Sequence, residues 1–212
     1  MVAQKFPLTY LELAKIAGEE VVRFPATFDE YWSLLETAEY KADFYQNEII
    51  ARSYENDNHS YIVTRFSFLL SSIFFPLKKP AYRVHNPNRP IYVSDCGKHT
   101  VFNPDGSVVA QPPVYFEYSP GMNAETTPVL LFEVLSKSTR SHDFGTKLPC
   151  YKQIPSLNTI LYIETTKPSI ILMERKSPNQ WIETEYKNET DTFIIEEKSI
   201  SLQAIYEGID FE

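Results

Sequence analysis

The sequence of 212 residues contains few glycines, few cysteines and no long apolar run. Six glycines leave little material for a phosphate-binding glycine-rich loop, and neither such a loop nor a serine nucleophile elbow is present. Cys96 and Cys150 are too few for a disulfide framework and lie in no metal-ligand spacing, so a reducing cytoplasm is expected. No stretch approaches about 18 consecutive apolar residues, and residues 1–10 lack the pattern of a secretory signal, so neither a membrane-spanning helix nor secretion is expected.

Positive charge is scarce as well, because 20 basic residues face 28 acidic ones and the formal net charge is −8. This balance argues against a protein that coats nucleic acid indiscriminately. It does not exclude a nuclease, because an acidic metal site concentrates negative charge that bound cations offset. The four histidines are scattered and predict no rival site. We expect His59 to be a capping or packing residue and His142 to be exposed.

The hydrophobic pattern predicts one α/β (α+β) domain, a mixed sheet flanked by helices with antiparallel hairpins at the C-terminal end. Residues 1–24 are interpreted as an N-terminal leader segment, and residues 25–212 as the single domain. Four helices are predicted in this domain. The first covers residues 28–39 and begins at a capping box, and the second is the amphipathic stretch that Pro76 ends. The other two cover residues 141–153 and 200–207. Strands are predicted on both sides of Gln46-Asn47 and over 82–84, 91–93, 100–102, 128–135, 158–164, 170–173, 181–186 and 192–195. Residues 111–127 are predicted to be a surface loop.

Glu133 is the first candidate site residue. It lies within Pro128–Leu135, the most apolar run of the chain, which has the length and composition of a strand buried on both faces. A buried carboxylate is usually paired, metal-bound or catalytic, whereas an edge strand would let Glu133 face solvent. We favour the functional interpretation.

Asp105 lies in a Pro-Asp-Gly sequence that on its own is an ordinary turn signal. It becomes a candidate because Glu133 follows on a neighbouring predicted strand. Two carboxylates that converge from adjacent strands would form an all-oxygen site suited to Mg²⁺ or Mn²⁺.

Lys147 shares one predicted helix face with Asp143 and Tyr151, which precede and follow it by four residues. The structural interpretation is a surface Asp–Lys pair covered by the tyrosine ring. The functional interpretation directs the ammonium at the metal site, where it could position the attacking water or stabilise developing phosphorane charge.

These residues resemble a known family. The run PVLLFEVLSKST over residues 128–139, followed by Asp143, Lys147 and Tyr151, resembles the Uma-two family, a bacterial family grouped with restriction endonucleases in the PD-(D/E)XK nuclease superfamily. Weaker similarities over residues 27–208 are Pro104-Asp105 to its PDV motif, residues 43–49 to its ELIDGEI segment, His59 to a histidine before its long helix, and residues 202–208 to its closing segment.

The resemblance implies a restriction-endonuclease-like fold with a metal-dependent site. Asp105 and Glu133 would be the metal ligands. Lys147 would replace the lysine that the superfamily carries two residues after the acid, where Leu135 stands. Glu48, or Asp43 where the family has Glu, would add a carboxylate from the N-terminal elements, and Asp143 and Tyr151 would support the site.

Four features depart from the family pattern. The family's DGE is Gln46-Asn47-Glu48 here. The family's Pro-Asp-Val is Pro-Asp-Gly here, with Gly106 as the third residue, and Asp43 is shorter than the family's Glu. Pro149 falls inside the predicted helix that carries Lys147, where it should remove a hydrogen bond unless the helix begins near Thr146.

Two functions follow as hypotheses. The first is a Mg²⁺-dependent endodeoxyribonuclease, for which a two-fold homodimer is expected if both strands are cut at once. The second is a catalytically inactive nuclease-fold module that binds nucleic acid or a protein partner. A nuclease should show a basic groove beside the acids, whereas a protein-binding module should show an exposed apolar patch. Candidates for the groove are Arg65, Lys137, Arg140 and Lys152.

Overall fold

The computed structural model describes residues 5–17, 21–52, 56–77 and 81–211. The elements follow one another in the order α1 (Tyr10–Ala17), β1 (Val22–Pro25), α2 (Phe28–Leu35), β2 (Ala42–Tyr45), β3 (Glu48–Ala51), α3 (Asp57–Phe74), β4 (Tyr82–His85), β5 (Ile91–Tyr92), β6 (Val101–Phe102), β7 (Gly106–Ala110), β8 (Tyr115–Ser119), β9 (Met122–Glu125), β10 (Pro128–Leu135), α4 (Arg140–His142), a π-helical turn (Asp143–Lys147), α5 (Leu148–Tyr151), β11 (Thr159–Glu164), β12 (Ile170–Ser177), β13 (Gln180–Tyr186), β14 (Thr192–Ile195), β15 (Lys198–Ser201) and α6 (Leu202–Tyr206). The predicted fold class, a mixed sheet with flanking helices and closing hairpins, is confirmed.

The strands form two large sheets and one hairpin. One sheet has seven strands in the order β1-β3-β2-β6-β5-β9-β8, the other has six in the order β13-β12-β11-β10-β7-β4, and β14 pairs with β15. In the six-stranded sheet β10 runs parallel to β11 and antiparallel to β7. This mixture of directions is why the sheet is neither a simple meander nor a fully parallel one.

Strand β10 is central because its apolar side chains cover both faces of the sheet. Leu130, Phe132 and Val134 pack into the core beneath α3 and α6. Leu131 and Leu135 pack into the opposite core beneath α5. Since successive side chains in a strand point to opposite faces, Glu133 shares the α5 side with these two leucines.

Capping and turn residues determine where several of the predicted helices and strands begin and end. Thr27 and Glu30 form the capping box at the start of α2. This helix ends at Leu35, where a turn follows, and not at residue 39 as predicted. Gln46 and Asn47 both have positive φ and form the two-residue turn between β2 and β3, as expected for such a hairpin. Asn56 caps α3, which ends at Phe74, two residues before Pro76.

One prediction of secondary structure was wrong, and another was right in outline but differs in detail. Residues 111–127 are not a loop throughout, because they contain the β8–β9 hairpin, which turns at Gly121 with φ +85°. Tyr115, Phe116 and Tyr118 supply the β-forming residues there. The predicted helix 141–153 is present as a continuous helical segment over residues 140–151, but it is divided into α4, the π-helical turn and α5, and Pro149 is the second residue of α5.

Two further features bear on earlier expectations. Cys96 and Cys150 form a disulfide that joins the segment after β5 to α5; two cysteines separated by 54 residues carry no spacing signal that could have predicted this pairing. Strand β1 (Val22–Pro25) crosses the end of the segment interpreted as a leader and pairs with β3, while the domain boundary after residue 24 stays a prediction. The spacing of Leu11, Leu13 and Ile16 predicts a short helix that Gly18 ends; α1 covers these three residues, and Gly18 itself lies outside the described residues. Among the described helices, none is long and apolar enough to cross a membrane.

Candidate active site

Glu133 is buried in the middle of the six-stranded sheet, with 1% of its surface exposed. Its Oε1 accepts hydrogen bonds from Lys147 Nζ at 3.0 Å and from the Tyr151 hydroxyl at 2.7 Å. Its Oε2 is buried and has no hydrogen-bond partner among the described residues. The described residues therefore leave the second oxygen of this buried carboxylate without compensation, which is uncommon for a buried polar atom.

The charges around Glu133 do not balance. The pKa of Glu133 is raised to about 8, mainly by burial and also by the carboxylates of Asp143 and Asp105, against the lowering effect of Lys147. The negative charge that Glu133 carries as a carboxylate is thus only partly offset by the lysine. A bound cation would complete the compensation.

Asp105 lies beside Glu133 because Gly106, the next residue, pairs with Phe132 across β7 and β10. Its Oδ2 accepts hydrogen bonds from the Val134 N–H at 2.8 Å and from His59 Nε2 at 3.1 Å. Its Oδ1 accepts from Arg52 Nη2 at 3.0 Å. Burial works to raise the pKa of Asp105, but the Arg52 and His59 charges outweigh it and hold this pKa well below its usual range, so Asp105 is ionised.

Lys147 Nζ lies among three carboxylates. It is 3.0 Å from Glu133 Oε1, 3.2 Å from Asp143 Oδ1 and 3.6 Å from Asp43 Oδ2. Burial works to lower the pKa of Lys147, but these carboxylates raise it well above its ordinary value. Lys147 is therefore a buried ammonium that keeps its proton.

The structure brings together the three main candidates, Asp105, Glu133 and Lys147, which we call the carboxylate–lysine cluster. Their exposed fractions are 0%, 1% and 3%. Asp143, Asp43 and Tyr151 adjoin the cluster through Lys147 and Glu133. Glu48 does not join it, because this side chain is partly exposed and pairs with Arg23 at 3.0 Å. A carboxylate from the N-terminal elements is present, but Asp43 supplies it.

The sequence did not predict the part that two histidines play. His142 was expected to be exposed, and this was wrong: it is 7% exposed and its Nε2 lies 2.8 Å from Asp43 Oδ2. The turn that follows carries it inward beside the buried Asp143. The side chain of His59 hydrogen-bonds to Asp105, and the match of His59 to a family histidine was the one signal for this.

A small cavity opens beside Lys147. It has a volume of about 30 Å³, and its lining includes Lys41, Asp43, Arg52, His142, Asp143 and Lys147. Three of these side chains are cationic and two are acidic. The cavity is large enough for a water molecule and presents charged groups of both signs to it.

The residues fit a divalent cation of the magnesium type. Within the described ranges no three His, Cys, Asp or Glu side chains form a metal-binding group by themselves. Magnesium, however, is commonly held by one or two carboxylates and keeps several waters. Glu133 Oε2 has no partner among the described residues and is the first candidate ligand. The ionised Asp105 is the second, and its two oxygens would share the ion with the hydrogen bonds that they already accept from Arg52, His59 and the Val134 N–H.

Comparison with known proteins places the chain in a family. The Uma2 family, described as "Putative restriction endonuclease", matches residues 28–203. Two proteins of Synechocystis sp. are each 28% identical to this chain: uncharacterized protein sll1609 over 77% of the chain and 88% of its own length, and uncharacterized protein slr1290 over 86% and 92%. The crystal structure of "a putative nuclease belonging to DUF820" from Anabaena variabilis aligns with a TM-score of 0.62 and 16% identity over 94% of this chain and 98% of that one, which shows a shared fold. Since the family match spans most of the 212 residues of this chain, the chain belongs to the Uma2 family.

Proposed function

We propose that the chain is a metal-dependent endonuclease that hydrolyses phosphodiester bonds in DNA. One observation carries this proposal: the buried carboxylate–lysine cluster, in which Glu133 Oε2 has no hydrogen-bond partner among the described residues. The membership in Uma2 and the shared fold with a protein described as a nuclease support it.

Asp105 and Glu133 would hold Mg²⁺ or Mn²⁺. Such an ion lowers the pKa of a bound water and neutralises charge on the scissile phosphate. Tyr151 and Lys147 both bind Glu133 Oε1, and this arrangement fixes the carboxylate so that Oε2 is the oxygen left for the metal.

Lys147 would stabilise the negative charge that develops on the phosphoryl oxygens. Its ammonium keeps its proton and is held by carboxylates on three different segments, so it is already oriented before substrate binds. Because it also lines the cavity with Arg52, the phosphate would approach from that side.

A second function, a nuclease-fold module that binds without cutting, is favoured by a different observation. Two of the four candidate groove cations are neutralised by acidic partners: Arg65 pairs with Glu207 at 2.8 Å, and Arg140 pairs with Glu164. A strongly basic DNA groove is therefore not evident at these two positions.

Supercoiled plasmid distinguishes the two functions. The purified protein is incubated with Mg²⁺, with Mn²⁺ and with a chelator, beside Glu133→Gln, which keeps the shape of the side chain, and Glu117→Gln, which changes an exposed glutamate of β8. We expect metal-dependent nicking by the wild type and Glu117→Gln but not by Glu133→Gln. A linear product would further support a dimer that cuts both strands.

Two outcomes contradict the proposal. If the folded wild type binds plasmid or single-stranded DNA but cuts neither with either metal, the binding module is the better description. If Glu133→Gln cuts as fast as the wild type, then the activity comes from a contaminant or from another site.

A further inference from the structure

Asp43 and His142 form a buried pair in which Asp43 also contacts Lys147 and His142 has no role in the proposed function so far. Asp43 lies on β2, and His142 ends α4, 99 residues later. The distance from His142 Nε2 to Asp43 Oδ2 is 2.8 Å, and each residue is 7% exposed. Both side chains line the cavity beside Lys147.

The hydrogen bonds of Asp43 assign the tautomer of His142. Burial works to raise the pKa of Asp43, but Lys147 and His142 hold it well below its usual range, so Asp43 is an ionised acceptor. Its Oδ1 accepts from the Asn103 N–H at 2.6 Å, which fixes the orientation of the carboxylate. In the neutral ring the proton must therefore reside on Nε2, and Nδ1 is an acceptor.

Nδ1 of His142 is buried and has no hydrogen-bond partner within the described part of the chain. An imidazole nitrogen that is buried without a partner loses hydration and gains nothing in return, so such an atom needs an explanation. The cavity that His142 lines is large enough for about one water molecule. His142 and Lys147 both line this cavity, so a water bound in it would lie near both residues.

We propose that His142 is the general base of the hydrolysis and that Asp43 is the residue that positions it, an inference that rests on the proposed nuclease function. The water oxygen forms a bond to phosphorus while its proton passes to His142 Nδ1. One ester P–O bond breaks, and the leaving oxygen takes a proton from solvent. His142 then returns its proton to solvent, so no oxidant or further reactant is needed.

The other groups at the site are less suited to accept a proton. Lys147 keeps its own proton, and the Tyr151 hydroxyl, whose pKa is raised well above the usual value mainly by burial, donates to Glu133. Asp143 is engaged in an ion pair with Lys147. A base whose far nitrogen is held by a carboxylate is the arrangement that activates nucleophiles on many unrelated folds.

The test measures the single-turnover rate of plasmid cleavage for His142→Gln, Asp43→Asn and the control His99→Gln, whose ring stacks on Phe28 at 4.2 Å and does not line the cavity. Glutamine can keep a hydrogen bond to Asp43 but cannot accept a proton. We expect His142→Gln to cut at least about 100-fold more slowly with DNA affinity unchanged, since general bases typically contribute about 10²–10⁴-fold. His99→Gln should retain the wild-type rate.

Asp43→Asn tests the positioning role separately. Its amide oxygen would still accept from Asn103, so the NH₂ group would face His142 and force the ring proton onto Nδ1. We expect kcat to fall by a factor similar to that of His142→Gln with KM unchanged, which a loss of folding would not produce. If His142→Gln fails to fold, His142→Asn is measured in the same way.

A His142→Gln rate within tenfold of the wild type overturns the inference, provided that Glu133→Gln is inactive. Imidazole added to His142→Ala should raise its rate but not that of Glu133→Gln, and an unchanged rate of His142→Ala also overturns it. If the wild type itself makes no metal-dependent cut, the proposed function fails and the inference fails with it.

Discussion

Gly106 follows the candidate ligand Asp105, and replacing it with alanine should be strongly destabilising. A Cβ at Gly106 would lie 2.1 Å from Cε1 and 2.5 Å from Cζ of Phe132, far inside normal contact. The Phe132 ring is fully buried and packs edge-on against Phe66 with the centroids 4.9 Å apart, so it has little room to move. Overpacking of this kind costs typically about 1–3 kcal/mol, and an overlap of this size belongs at the upper end.

The assay is thermal unfolding of Gly106→Ala beside Gly145→Ala. For a chain of this size about 3 kcal/mol lowers Tm by roughly 6–12 °C. A Cβ at Gly145 meets no atom within 4 Å, and a helical glycine replaced by alanine gains stability, so the control should not lose any.

A double variant tests whether Phe132 is the cause. Phe132→Ala alone should cost about 3–5 kcal/mol, because it leaves a cavity in the core. Combined with Gly106→Ala it should cost less than the sum of the two single losses, since the new methyl group occupies space that the ring has vacated. A Gly106→Ala protein with wild-type Tm, or strictly additive losses, would refute this account.

Two other predictions concern stability. The pKa of Asp43 is lower in the folded than in the unfolded protein, so the stability that this carboxylate contributes is fully present above the unfolded pKa of about 3.9 and is lost as pH falls below it. We therefore expect Tm to fall more steeply from about pH 5 to pH 2 in the wild type than in Asp43→Asn. Equal slopes would contradict this expectation. The Cys96–Cys150 disulfide closes a loop of 54 residues, and the lost chain entropy of the unfolded state corresponds to a stabilisation of about 4 kcal/mol. The double variant Cys96→Ser/Cys150→Ser should therefore unfold at a lower temperature than the oxidised wild type. A reductant should lower the Tm of the wild type and leave that of the double variant unchanged.

The sequence carried enough information for the parts of the fold that local chemistry determines. The apolar run around Glu133 predicted a central strand and a buried acid, and the capping box of α2 and the amphipathic pattern of α3 predicted two helices. The relative positions of Asp105, Glu133 and Lys147 came from the family resemblance. Spacing alone could not show that residues on β7, β10 and the turn before α5 meet.

Other parts of the site depend on tertiary contacts that leave no local pattern. A single histidine has no periodicity, so nothing around His142 indicated its partner Asp43, 99 residues away. Glu48 was an equally reasonable N-terminal carboxylate until the β2–β3 register separated it from the cluster. The hairpin in residues 111–127 was obscured by its prolines, which suggested a loop although aromatic residues lie between them.

Because Asp143–Lys147 forms a π-helical turn, the geometry of the site depends more on the number of residues in this segment than on which residues they are. A π-helical turn is equivalent to a single residue inserted into an α-helix, so losing one residue would convert the segment into a continuous α-helix. In the π-helical turn Asp143 and Lys147 lie four residues apart and form an ion pair. Deletion of Gly145 would place them three residues apart, a spacing that still shares a helix face but moves the carboxylate relative to the ammonium. A substitution at Gly145 leaves this spacing intact, whereas deletion of the same residue would change it.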